Sequence, residues 1–147
     1  MITKIKNFFT KLENEDSKIE LDSDDINLTC AALLIELVYA DKIMNPEEIV
    51  SLRASLTKVY LLDKETVDEL IENGEQAVND STSLYEYTKP LNLFLNYQDK
   101  LTLIGNMWKL AYADGNIDKF EEFLIRKISD LLHIDHSDFI NQKINNR

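Results

Sequence analysis

The sequence has one cysteine, two prolines, three glycines and one tryptophan in 147 residues. A lone thiol, Cys30, cannot close a disulfide within the chain, so there is no disulfide framework and no sign of an oxidising compartment. Glycine and proline this sparse exclude collagen-like and low-complexity classes. Gly74, Gly105 and Gly115 are too far apart to form a phosphate-cradling loop. No apolar run approaches the roughly 18 residues that a bilayer span needs. The longest, Ala31-Ala32-Leu33-Leu34-Ile35, stops at Glu36. Positive charge is also scarce: 16 lysines and arginines face 27 acidic residues, a net charge of −11. Phosphate backbones repel such a chain, so no nucleic-acid partner is expected. The first 13 residues carry three lysines but neither an apolar stretch of signal-peptide type nor a small-residue cleavage site. The expected compartment is the cytoplasm.

What is present is helical periodicity. Ile26, Cys30, Leu33, Leu34, Leu37 and Val38 step by three and four, as do Ile49, Leu52, Leu56, Val59 and Tyr60, and Leu101, Ile104, Trp108, Ala111 and Tyr112. Each set lays an apolar stripe along a helix facing a shared core. No segment alternates with period two, so essentially no sheet is expected. The pattern predicts helices near 24–40, 46–60, 64–79, 82–95, 98–113, 118–133 and 136–145. Asn45-Pro46 supplies a cap followed by proline in the first turn, and Asp114-Gly115 closes the long fifth helix. Pro90 predicts a kink in the fourth helix, or its end near Lys89.

Three units are expected: an amphipathic helix at 1–12, an acidic linker at 13–23 and a helical domain at 24–147. Residues 13–25 hold seven acids and one lysine, which reads as a solvated connector. In the first unit Ile2, Ile5, Phe8, Phe9 and Leu12 form one face, with Lys4, Lys6 and Lys11 on or near the other. Such a segment packs on its own domain, or makes a weak peripheral contact with an anionic membrane.

The chain also repeats itself. Leu37-Val38-Tyr39-Ala40-Asp41 matches Leu110-Ala111-Tyr112-Ala113-Asp114 at an offset of 73 residues, and the same offset pairs Glu48 with Glu121, Leu52 with Ile125 and Arg53 with Arg126. Leu61-Leu62-Asp63 then matches His133-Ile134-Asp135 after a slip of one residue. The expected fold is all-α: one compact domain of two pseudo-symmetric three-helix repeats, preceded by the short helix.

Each half keeps an aspartate seven residues before a glutamate, Asp41 to Glu48 and Asp114 to Glu121. The aspartate follows a helix C-terminus, where the macrodipole disfavours negative charge. Two explanations stand side by side. Asn45 to Glu48 and Asp118 to Glu121 have the form of capping boxes, with the aspartates making turns. Alternatively, symmetry gathers four carboxylates that repel one another until a cation neutralises them, and all-oxygen ligands suit a hard ion such as calcium or magnesium. Asp114, Asn116 and Asp118 fit the start of an EF-hand loop, but Lys119 stands where glycine is needed and Ile125 where the bidentate glutamate belongs, so that motif is rejected.

Tyr112-Ala113-Asp114-Gly115-Asn116-Ile117, followed by Glu121, resembles the Ala-Asp-Gly-x-Ile/Leu…Glu signature of the TerB-like proteins, named for a bacterial tellurite-resistance protein. Trp108-Lys109-Leu110-Ala111, Leu84-Tyr85-Glu86-Tyr87-Thr88 and the phrase from Asp130-Leu131-Leu132 to Asp138-Phe139-Ile140 fit as well, so the likeness covers roughly 25–142. It implies an all-helical fold of two similar halves and an acidic metal site, here Asp41, Glu48, Asp114 and Glu121. Lys42 stands where the family has glycine. It also implies a role in tellurite or general stress resistance. Relatives occur fused to J-domains, whose His-Pro-Asp triplet this chain lacks.

Catalytic signals are sparse. Oxyanion reduction wants paired thiols or a cofactor, and Cys30 is single and lies on an apolar stripe. His133 and His136 have no cysteine or third histidine beside them. The expectation is therefore a non-enzymatic module that binds a divalent ion and acts through other proteins. A metal-dependent hydrolase using the same carboxylates and a metal-free interaction domain are the alternatives.

Overall fold

The computed structural model describes residues 22–40, 46–79 and 84–147. The predicted N-terminal helix, Asp41, Lys42, Asn45 and the predicted start of the 82–95 helix lie outside these residues. Seven helices and no strand occur among the described residues: α1 Ser23–Val38, α2 Pro46–Lys58, α3 Lys64–Asn79, α4 Leu84–Phe94, α5 Tyr97–Ala111, α6 Lys119–Leu131 and α7 His136–Asn145. None is long and apolar enough to cross a membrane.

The first helix starts earlier than its charge suggests. Asp22 caps it, accepting the Asp25 N–H at 2.9 Å, and the Asp25 carboxylate accepts the Asp22 N–H in return. This reciprocal pair is a capping box, so the last acids of the 13–25 stretch build a helix start. The stripe reading also understates α1. Thr29, Ala31, Ala32 and Ile35 are buried alongside the expected residues, so this helix is enclosed on nearly all sides. It packs against α2, α3, α4, α5 and α6.

The second central helix is α5, which buries Leu103, Ile104, Met107, Trp108 and Leu110 and packs against α1, α2, α6 and α7. Gly105 lies against α7: a Cβ built there would stand 2.7 Å from the Gln142 amide oxygen. Phe139 of α7 lies 5.3 Å from the Trp108 ring, and the Lys143 ammonium sits 5.4 Å over that ring. The α6 C-terminus is closed by cross-chain donors, with Asn92 reaching the Leu131 carbonyl at 2.9 Å and Lys100 the Leu132 carbonyl at 3.1 Å.

Pro90 does not end α4, which runs on to Phe94. Proline removes the N–H that would meet the Glu86 carbonyl, but Pro90 and Leu91 are buried against the core, and α4 packs on α1 and α6. Tertiary burial outweighs one lost ladder bond.

Candidate functional site

The candidate carboxylates sit where helices begin and end. Pro46, Glu47 and Glu48 open α2, and Lys119, Phe120 and Glu121 open α6. Glu48 and Glu121 therefore both occupy the third helical position, and both are buried, at 3% and 2% exposure. A carboxylate at a helix N-terminus is favoured by the positive end of the dipole and by free backbone N–H groups. Burying it still demands donors or positive charge to replace the lost water.

Asp114 differs. It lies in the turn that leaves α5, exposed, and its Oδ1 accepts the Asn116 N–H at 3.0 Å. The turn closes through the Gly115 N–H to the Tyr112 carbonyl at 2.8 Å. Gly115 has φ 87°, a conformation that a side chain would strain. Asp118 caps α6, but its carboxylate takes the Phe120 N–H at 2.7 Å, at the second helical position instead of the Glu121 N–H.

The matching exit of α1 has the same backbone form. Tyr39 and Tyr112 are the C-caps of α1 and α5, and their N–H groups bond to Ile35 and Trp108. Ala40 and Ala113 follow with bonds to Leu37 and Leu110. Tyr39 sends its hydroxyl to the Ile71 carbonyl at 2.9 Å, tying α1 to α3, whereas the Tyr112 ring rests 6.2 Å from Trp108. Asp41, the fourth predicted acid, lies outside the described residues. Among the described residues no three histidine, cysteine, aspartate or glutamate side chains gather as a metal-holding group, so Glu48, Asp114 and Glu121 do not make one by themselves.

Burial strongly alters several titratable groups among the described residues, with the Tyr60 hydroxyl pushed up by desolvation. Burial pushes the Cys30 thiol up to about 12, with Asp99 adding to the shift, so the thiol is a poor nucleophile in place. Burial also raises Glu36 to about 7. Sequence reading missed Glu36, because its position on the polar side of the expected stripe gives no hint that neighbouring helices will cover it. His133 and His136 are both exposed, and the His136 ring lies 5.9 Å from Phe139.

A further pair was also missed. Phe120 and Phe123 flank buried Glu121 on the α6 surface at 68% and 67% exposure, and Val50, one turn from Glu47 on α2, is 70% exposed. Large apolar side chains held in water this way mark contact surfaces when they cluster.

Compared with known families, residues 27–144 match the model of the family described as Tellurite resistance protein TerB. No curated protein and no solved structure matches the chain at a significant level.

Proposed function

This chain belongs to the TerB family, and from that premise we propose that it is a non-catalytic module of a tellurite or general stress response. It holds a hard divalent cation, calcium or magnesium, on Asp41, Glu48, Asp114 and Glu121, and it acts through protein partners. The supporting observation is the pair Glu48 and Glu121: two buried carboxylates at the same helical position, each at the start of the second helix of a helix pair. The packing is reciprocal, with α1 against α6 and α2 against α5, as a pseudo-two-fold arrangement of the two pairs requires. Carboxylate oxygens are the donors that hard cations take. When bound, the ion would neutralise repulsion among the acids. Glu48 and Glu121 would supply rigid, water-shielded oxygens, and Asp114 an exposed one already oriented by the Asn116 N–H. The partner surface on this reading is the Phe120–Phe123 face beside Glu121.

The test is calorimetric titration with calcium, magnesium, zinc and manganese. Wild type should release or absorb heat with calcium or magnesium, and Asp114→Ala and Glu121→Gln should weaken that binding at least tenfold. No heat with any ion removes the cation. If Asp114→Ala and Glu121→Gln leave binding intact and only lower stability by about 0.5–2 kcal/mol, the residues serve helix starts and turns alone.

A further inference from the structure

A groove lined by Cys30 has the shape and charge to take a basic amphipathic segment. It encloses about 420 Å³ and is walled by Ser23, Ile26, Asn27 and Cys30 of α1, Val59 and Tyr60 after α2, Phe94 at the end of α4 with Leu95 after it, and Asp99 and Thr102 of α5. Its α1 wall is one helical face, at spacings of three, four and seven residues, about 10 Å long. Val59 and Phe94 stand at its edge 44% and 45% exposed. Among the described residues of the lining Asp99 is the one charged side chain.

We infer that this groove is the docking site of the chain's own N-terminal segment, residues 2–12. Three observations select that occupant. The chain enters the described domain at the groove itself, since Ser23 in the wall directly follows the capping residue Asp22. Residues 13–21 then form a tether of nine residues, which reaches about 30 Å when extended and so can turn back without strain. The charges are complementary: residues 1–12 carry Lys4, Lys6 and Lys11 and no acid, whereas the groove carries Asp99, and Asp22 and Asp24 adjoin Ser23 of its wall in sequence. The spacing also matches. Ile5, Phe8, Phe9 and Leu12 repeat the spacing of Ser23, Ile26, Asn27 and Cys30 in the wall, three, four and seven residues from the first, the register of a helix laid in a groove. The segment buries its apolar face on Ile26, Val59, Phe94 and Leu95 and leaves its lysines to the neighbouring acids.

The test places a photo-reactive benzoylphenylalanine at Phe8 in the full chain, with cross-linked peptides mapped by mass spectrometry. The expected products have monomer mass and join position 8 to peptides containing Ser23–Cys30 or Phe94–Thr102. Their yield should fall at least fivefold in Asp99→Lys and in Thr102→Arg, both at exposed positions whose folding circular dichroism can verify, and should also fall as salt is raised. In a second measurement free of the photo-probe, Phe8→Ser/Phe9→Ser should shift the amide resonances of Ile26, Asn27, Leu95 and Thr102. Products elsewhere on the domain, no product, or unmoved groove resonances each overturn the proposal. Dimer-mass products overturn it in favour of exchange between copies. Loss of the intramolecular product on adding phosphatidylglycerol vesicles, with none lost on adding phosphatidylcholine ones, overturns it in favour of a membrane as the segment's preferred site.

Discussion

Leu61 and His133 both adopt the left-handed backbone region, at φ 56° and 59°. Each precedes a buried aliphatic residue, Leu62 or Ile134, and then an aspartate at which a helix starts, Asp63 or Asp135. The two exits differ by one residue. After α6 the Ile134 N–H bonds to the Ser129 carbonyl at 3.1 Å and the His133 N–H to the Asp130 carbonyl at 3.1 Å, the paired bonds of a Schellman motif. After α2 the Leu62 N–H reaches the Leu56 carbonyl at 3.0 Å, one residue further back, and the Tyr60 N–H spans five residues to Ser55. A widened last turn absorbs the extra residue. The two exits thus differ at one place: α6 ends in a regular Schellman turn, while the chain after α2 carries one more residue before its left-handed position.

Charge differs more than backbone. Glu36 corresponds to Lys109 at the 73-residue offset, but Lys109 is exposed whereas burial holds Glu36 near 7. A carboxyl whose folded pKa exceeds its ordinary value of 4.5 binds more protons folded than unfolded. Its contribution is therefore complete below about 4.5 and is lost as pH rises through about 7. Glu36→Gln should stabilise the protein by about 1–3 kcal/mol at pH 8, measured by urea unfolding, with the gain vanishing near pH 4. Lys109→Gln should change stability little at either pH. A gain for Glu36→Gln that persists at pH 4 would show that repacking, and not ionisation, separates the halves here.

Capping gives the next largest contrast. Asp63 accepts the Thr66 N–H at 2.8 Å, a conventional helix start for α3. Asp135 makes no side-chain cap bond, and its backbone N–H instead donates to the Tyr97 hydroxyl at 3.1 Å. Asp63→Ala should cost about 1 kcal/mol, and Asp135→Ala a few tenths. Equal losses, read from denaturation midpoints, would mean that Asp135 stabilises the helix start through the dipole as strongly as Asp63 does through its bond.

The helices were legible because three- and four-residue spacing survives folding unchanged. The predicted bounds of α3 and α7 coincide with the observed ones, and every other bound lies within two residues. The misses have a common physical source. Enclosure of α1 depends on small residues, Thr29, Ala31 and Ala32, that carry little periodic signal by themselves. The continuation of α4 through Pro90 depends on burial, which the local sequence does not encode. At the candidate site the positions of Glu48 and Glu121 were readable from spacing. Their burial and the exposure of Asp114 were not, because desolvation is set by the helices that pack around them.

The left-handed residues themselves test the comparison most finely. A non-glycine residue in this region pays roughly 1–2 kcal/mol in Cβ crowding, while a glycine there loses roughly 0.5–1 kcal/mol more backbone entropy on folding. Leu61 is 76% exposed, and His133 is exposed too, so neither side chain has core packing to lose. Leu61→Gly and His133→Gly should each stabilise the protein by about 0.5 kcal/mol, the small surplus of relieved strain over entropy. The widened turn after α2 has an extra residue over which to spread its crowding, so its gain should be the smaller of the two. A larger gain at Leu61 would show that the added residue concentrates strain at that position instead of relieving it. The order of the two values, read from paired unfolding curves, decides between these outcomes.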